Sequence, residues 1–151
     1  MTDTKQNIAK NTSARLHAVQ GIYQMHKGGH TAQETVAQFK EHRFGKDVDG
    51  EQYVYPDVEL FTKIVTGVSK RKDDLLDILK ENLKKDDEIR NVEDLLKSIL
   101  LCGTLEILDH IDIDSPIIIN DYIEVTKAYY GDAEGALVNA TLDSFSKVVR
   151  S

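Results

Sequence analysis

Apolar residues recur at helical spacing along most of the chain, and the gaps between runs carry caps, glycines or prolines. Residues 1–11 precede the first run; they are polar and aperiodic and read as a flexible N-terminal arm. Asn11, Thr12 and Ser13 then offer N-caps to a helix with Ala14, Ala18, Ile22 and Met25 on one stripe, Val19 and Tyr23 beside it, and Gly28-Gly29 at its end. Thr31-x-x-Glu34 has the form of a capping box, so a second helix follows with Ala32, Val36 and Phe39 inward, fading near Phe44-Gly45. Gly45 to Tyr55, with Asp49-Gly50 inside it, reads as a connecting loop.

Pro56 suits the first turn of a third helix, in which Phe61, Ile64, Val65 and Val68 share one face. Asp73-Asp74 opens a fourth, burying Leu75, Leu76, Leu79 and Leu83, and the charged run Lys84 to Arg90 reads as a solvated linker. Asn91 caps a fifth helix that is apolar on nearly every side from Leu95 to Leu108, which belongs at the centre of a fold. Ser115-Pro116 reads as cap and first turn of a sixth. The triple Ile117-Ile118-Ile119 stays helical because no second β-rich run exists to pair with it. A last helix from about Asp132 packs Leu137, Val138, Thr141, Leu142, Phe145 and Val149. The pattern predicts an all-α protein of about seven helices, without repeats.

Composition agrees: 151 residues with 2 Pro, 9 Gly and no Trp favour long helices, in one domain expected over residues 12–151. A single cysteine, Cys102, excludes an intrachain disulfide or a multi-cysteine zinc site. No apolar run approaches the roughly 20 residues of a membrane span, and Met1 to Lys10 is too polar for a signal peptide, so a soluble cytoplasmic protein without membrane contact is expected. Charge is uneven. Residues 1–46 hold seven basic side chains against three acidic ones, a net of +4, and leave −11 for the remainder. Four of the five histidines also lie in the positive part, which is where an anionic partner would bind.

No catalytic spacing accompanies this pattern. Gly28-Gly29 lacks the spaced glycines and lysine of a phosphate loop, and it breaks the helix that would put His26 and His30 on one face, so no metal site is expected. His17 either contacts phosphate or faces solvent. Cys102, in the most apolar helix with no neighbouring His, reads as a structural thiol. Asp73-Asp74 and Asp86-Asp87 sit at expected helix boundaries, where capping and dipole effects account for them. No enzyme activity and no cofactor are expected.

Ala14 through Tyr23 resembles the opening helix of the NusB family of bacterial transcription antitermination factors, with Ala-Val-Gln-x-Ile-Tyr (Ala18 to Tyr23) its distinctive part. Ile119 to Val125 resembles the family's Ile-Asn-Glu-x-x-x-(Leu/Val) helix, and Leu137 to Asp143 its Phe-Val-Asn-Gly-Val-Leu-Asp. With weaker likeness at Phe61 to Val68 and Leu100 to Ile107, the resemblance covers about residues 12 to 149. It implies two packed three-helix bundles with an extra helix. It also implies binding to the boxA element of ribosomal RNA leader transcripts together with the ribosomal protein NusE, within the transcription elongation complex.

On that reading Lys5, Lys10, Arg15 and Gln20 meet RNA, and Asn139 either contacts it or makes a buried structural bond. The expected NusE face holds Tyr23, Glu93 and Asp94, whose alternative roles are a core tyrosine and helix capping. The chain departs from the family at several charged positions. Asn11, Thr12 and Ser13 stand where arginines are usual, Ala136-Leu137 where Lys-Phe is usual, and Leu101 and Leu105 where the central helix has Arg and Tyr. At about 0.5 to 1 kcal/mol per exposed pair, these losses weaken RNA binding roughly tenfold. Gly21 and Gly103 replace alanines and cost about 1 kcal/mol each in helix propensity unless close packing compensates. The competing class is a NusB-like protein-interaction or homodimer module with little RNA binding. A fragment of a ribosomal RNA cytosine methyltransferase, where the same fold precedes a catalytic domain, is not expected because this chain leaves no length for that domain.

Overall fold

The computed structural model describes residues 2–45, 47–48, 51–52, 54–83 and 92–150, without the side chains of 2–8 and 47–52. Among them the order is α1 (Thr2–Gly28), α2 (Ala32–His42), β1 (Asp47–Val48), β2 (Glu51–Gln52), α3 (Val58–Asn82), α4 (Asp94–Asp109), α5 (Ser115–Lys127) and α6 (Asp132–Val149). The protein is all-α apart from the two-residue antiparallel pair β1–β2, which lies in the stretch read as a loop. The Asp49-Gly50 turn, the Lys84 to Arg90 linker, the Asn91 cap and the Lys5 side chain lie outside the described residues. Two compact units form, residues 1–69 and 70–151.

In the first unit, α1 begins earlier than the apolar stripe predicts. Residues 2–11 contain neither Gly nor Pro and include good helix formers, so the helix started by the stripe propagates back to Thr2, and the expected arm has helical backbone. Ser13 is therefore inside the helix rather than capping it. Its Oγ donates to the Val54 carbonyl at 2.5 Å, while Asp57 N–H donates to the Lys10 carbonyl at 3.1 Å. From Ser13 to Val19 every side chain of α1 is buried. Gly29, at φ +72°, ends the helix in the left-handed conformation that only glycine adopts freely, and its N–H satisfies the Met25 carbonyl.

The capping box of α2 forms as the pattern predicts: Glu34 N–H donates to Thr31 Oγ1 and Thr31 N–H to Glu34 Oε1. Gly21 lets α1 approach closely, since a Cβ there would come within 3.2 Å of Thr35 Cγ2. Phe39, Phe44 and Phe61 fill the unit's interior with tilted and edge-to-face ring contacts, joined by Ile64, Val65 and Val68 of α3. Pro56 is buried just before α3 rather than in its first turn. Asp57 caps that helix instead, its Oδ1 accepting from Leu60 N–H.

The expected third and fourth helices run as one element, α3, broken at Arg71 (φ −117°, ψ 19°) rather than interrupted at Asp73. With that break counted, all seven expected helical segments are present. In the second unit α4 is buried on every side from Ser98 to Ile107, as an all-round apolar helix requires. Gly103 permits this: a Cβ would stand 2.7 Å from Leu142 Cδ1 of α6, too close for any real contact. Of the isoleucine triple in α5, Ile118 and Ile119 point inward and Ile117 is exposed. Asp114 occupies the N-cap of α5, one residue earlier than expected, with Pro116 in the first turn.

A polar cluster closes the C-terminal end of α4. The fully buried Glu106 carboxylate accepts from Tyr122 Oη at 2.5 Å and lies 3.1 Å from His110 Nδ1. Arg150 donates to the carbonyls of Glu106, Ile107, His110 and Ile113, so one guanidinium satisfies acceptors that a helix end leaves open.

Candidate nucleic-acid interface

The residues expected to meet RNA divide between the units. Lys10 is exposed on α1. Arg15, five residues on, is only 2 % exposed and engaged in the interior, so it is not placed as the exposed phosphate contact the sequence suggests. Its burial follows from the all-round packing of α1 at that level, which charge alone does not foretell. Gln20 is half-buried and accepts a hydrogen bond from Arg43 Nη2 at 3.2 Å. Asn139 is exposed on α6, which removes the alternative of a buried structural bond.

In the sequence Arg43 counts only as charge. It follows α2, where the apolar period has faded, so its place carries no periodic signal. In the structure its guanidinium lies 4.9 Å over the Phe39 ring and holds the Gln20 side chain, a braced planar cation in the positive first segment of the chain.

Of the expected partner-binding residues, Tyr23 is half-buried on α1, not a core side chain, and Lys27 lies over its ring at 5.7 Å. Glu93 is exposed at the N-cap of α4 and makes no side-chain capping bond; it accepts from Tyr130 Oη at 2.9 Å. Burial, followed by that hydrogen bond to Glu93, pushes the Tyr130 phenol well above its ordinary pKa. Asp94 lies 3.9 Å from Lys97 Nζ, and its backbone carbonyl accepts from Ser98 Oγ. The start of α4 thus presents two carboxylates where the helix dipole favours negative charge.

His17 meets neither phosphate nor solvent. It is 1 % exposed, its Nδ1 is 2.7 Å from the Ser13 carbonyl, and its ring stands edge-on to Phe44. Burial is the main cause of its lowered pKa, partly opposed by the Ser13 contact, with Arg43 lowering it further. The Cys102 thiol is buried and driven far above its ordinary pKa, first by desolvation and then by Glu106, so it is inert as a nucleophile. Among the described residues no group of three or more His, Cys, Asp or Glu is placed to hold a metal, and no helix is long and apolar enough to cross a membrane. A shallow cavity of about 500 Å³ in the second unit is lined by Ile111, Asp114, Ser115, Pro116 and Arg150.

The fold and these surfaces define an all-α protein of two helical units that offers a cation-bearing first unit and an acidic helix start in the second. The chain belongs to the NusB family: the profile described as "NusB family" matches residues 12–147. The transcription antitermination protein NusB of Sinorhizobium medicae is 39% identical over 143 residues, covering 95% of this chain and 89% of that protein. That of Bartonella henselae is 36% identical over 141 residues, covering 93% and 89%. Among solved structures, the antitermination factors NusB and NusE in complex with dsRNA match with a TM-score of 0.73 at 19% identity, over 91% of this chain and 96% of that one. T. maritima NusB matches with a TM-score of 0.71 at 19% identity, over 90% and 89%.

Proposed function

We propose that this protein is an RNA-binding transcription antitermination factor. It binds the boxA element of ribosomal RNA leader transcripts together with the ribosomal protein NusE and, within the elongation complex, promotes read-through. The observation that carries the reading is 39% identity over 95% of the chain to a protein named for that activity. The charge division supports it, since a first segment of net +4 suits a phosphate backbone and a remainder of −11 suits a basic ribosomal protein. Lys5, Lys10, Gln20 and Asn139 are the proposed RNA contacts, with Arg43 added. Arg15 supports α1 from inside, and Tyr23, Glu93 and Asp94 form the proposed NusE face. The protein acts by binding, without catalysis or cofactor, in the cytoplasm.

One observation favours a second reading. With Arg15 buried and Asn11 to Ser13 in place of arginines, few fixed cations line α1, as suits a protein-interaction or homodimer module with little RNA binding. Fluorescence anisotropy of boxA and scrambled RNA, with and without NusE at two salt concentrations, separates the two. Selective boxA binding that strengthens with NusE and weakens with salt is expected. Equal, weak binding of both RNAs throughout would leave the interaction module.

A further inference from the structure

Tyr55 is the one aromatic side chain among the exposed large apolar residues described, 52 % open to solvent. Its place is nevertheless fixed. Ser13 Oγ holds the Val54 carbonyl and the Lys10 carbonyl holds Asp57 N–H, so the chain on both sides of Tyr55 is tied to one turn of α1. The ring stands against Phe44 at 5.6 Å between centroids and 76° between planes, and Phe44 is itself buried against Phe61 at 4.9 Å. Gly45, at φ +76°, runs beside the ring, where even a Cβ would lie 3.5 Å from Tyr55 Cδ2. This half-open aromatic side chain is thus braced by a buried aromatic cluster and two backbone anchors.

One exposed cation is tied to the same anchor. Lys10, on the turn of α1 that anchors the segment, is exposed, and the half-exposed Arg43 lies over Phe39, which packs against the Phe44 ring that supports Tyr55. A fixed aromatic face with a lysine on its anchoring turn meets both needs of unpaired RNA: a surface on which a base stacks, and neutralisation of a neighbouring phosphate. A ring already immobilised also gives up little freedom when the base arrives.

We propose that Tyr55 is a base-stacking platform for single-stranded RNA, with a flanking phosphate at Lys10. The proposal rests on the RNA-binding reading given above. If the ring merely shielded Phe44, its removal would lower thermal stability and leave RNA affinity unchanged.

The test uses the full chain with NusE and a boxA RNA, and measures affinity by anisotropy for the parent, Tyr55→Ala, Tyr55→Phe and Lys10→Ala. Tyr55→Ala binds about tenfold more weakly with an unchanged salt slope, whereas Tyr55→Phe stays within about twofold. Lys10→Ala instead reduces the salt slope by about one. Photocrosslinking of 5-iodouridine-substituted boxA to the parent, mapped by peptide mass spectrometry, places a crosslink on Tyr55 and serves even if the alanine variant folds poorly. RNA binding by the parent with no crosslink at Tyr55 and full affinity in Tyr55→Ala overturns this proposal alone. An alanine variant that loses NusE but not RNA makes Tyr55 a protein contact and also overturns it. A parent that binds no RNA overturns the proposal and the functional reading together.

Discussion

Two polar residues of α1, His17 and Arg15, have a surface role open to them in the sequence and are interior in the fold. His17 is held neutral by burial, so its pKa in the folded chain lies below the ordinary 6.5. The unfolded chain therefore binds more protons between those two values. The stabilisation is complete above about pH 6.5 and is lost as pH falls toward the folded pKa. Urea unfolding at about pH 7.5 and about pH 5.5 is expected to show a stability drop that is smaller in His17→Phe; an equal drop in both would exonerate His17. Arg15, at 2 % exposure, leads to a different expectation from an RNA contact. Arg15→Glu removes an engaged buried cation and puts a carboxylate in its place, so the cost is about 3 kcal/mol or more of stability, read as a lower Tm. A variant that melts like the parent but binds RNA poorly would return Arg15 to the interface.

At the level of elements, the two helix-interior glycines find their explanation in helix spacing. Gly21 and Gly103 each give up about 1 kcal/mol of propensity, and each lies where a neighbouring side chain occupies the space of a Cβ. The contact is tighter at Gly103, because Leu142 is fully buried and has little room to turn away. Gly103→Ala is therefore expected to destabilise by about 1 kcal/mol in spite of its better propensity, and Leu142→Val to relieve part of that cost. Additive effects in the double-mutant cycle would show that the two sites do not meet. The break in α3 has a tertiary side as well. Arg71 leaves helical geometry and pairs with Asp109 of α4, a partner 38 residues away that no local pattern discloses.

Across the full chain, the division of charge is legible in the sequence, because formal charge is a count. It draws the phosphates of an anionic ligand toward the first 46 residues, and the reduced salt slope expected of Lys10→Ala is the measurement that checks this. Which cations reach the surface is not legible there. Lys10 does and Arg15 does not, although both stand in one helix, because exposure depends on what packs around that helix.

Local period, caps and motif order were enough for the helical class, the seven helical segments, most of the apolar core positions and the family resemblance that the profile over residues 12–147 bears out, but Val149, expected to pack inward, is exposed in the last turn of α6, where the helix ends. Near neighbours in the chain encode all of these, so they can be read one segment at a time. Packing was needed to settle that His17 and Arg15 are interior, that Asn139 is exposed, that Arg43 braces Gln20, and that Tyr55 stands open on a fixed support. Each depends on residues brought together from distant parts of the chain, whose burial and partners exist only once the elements have packed.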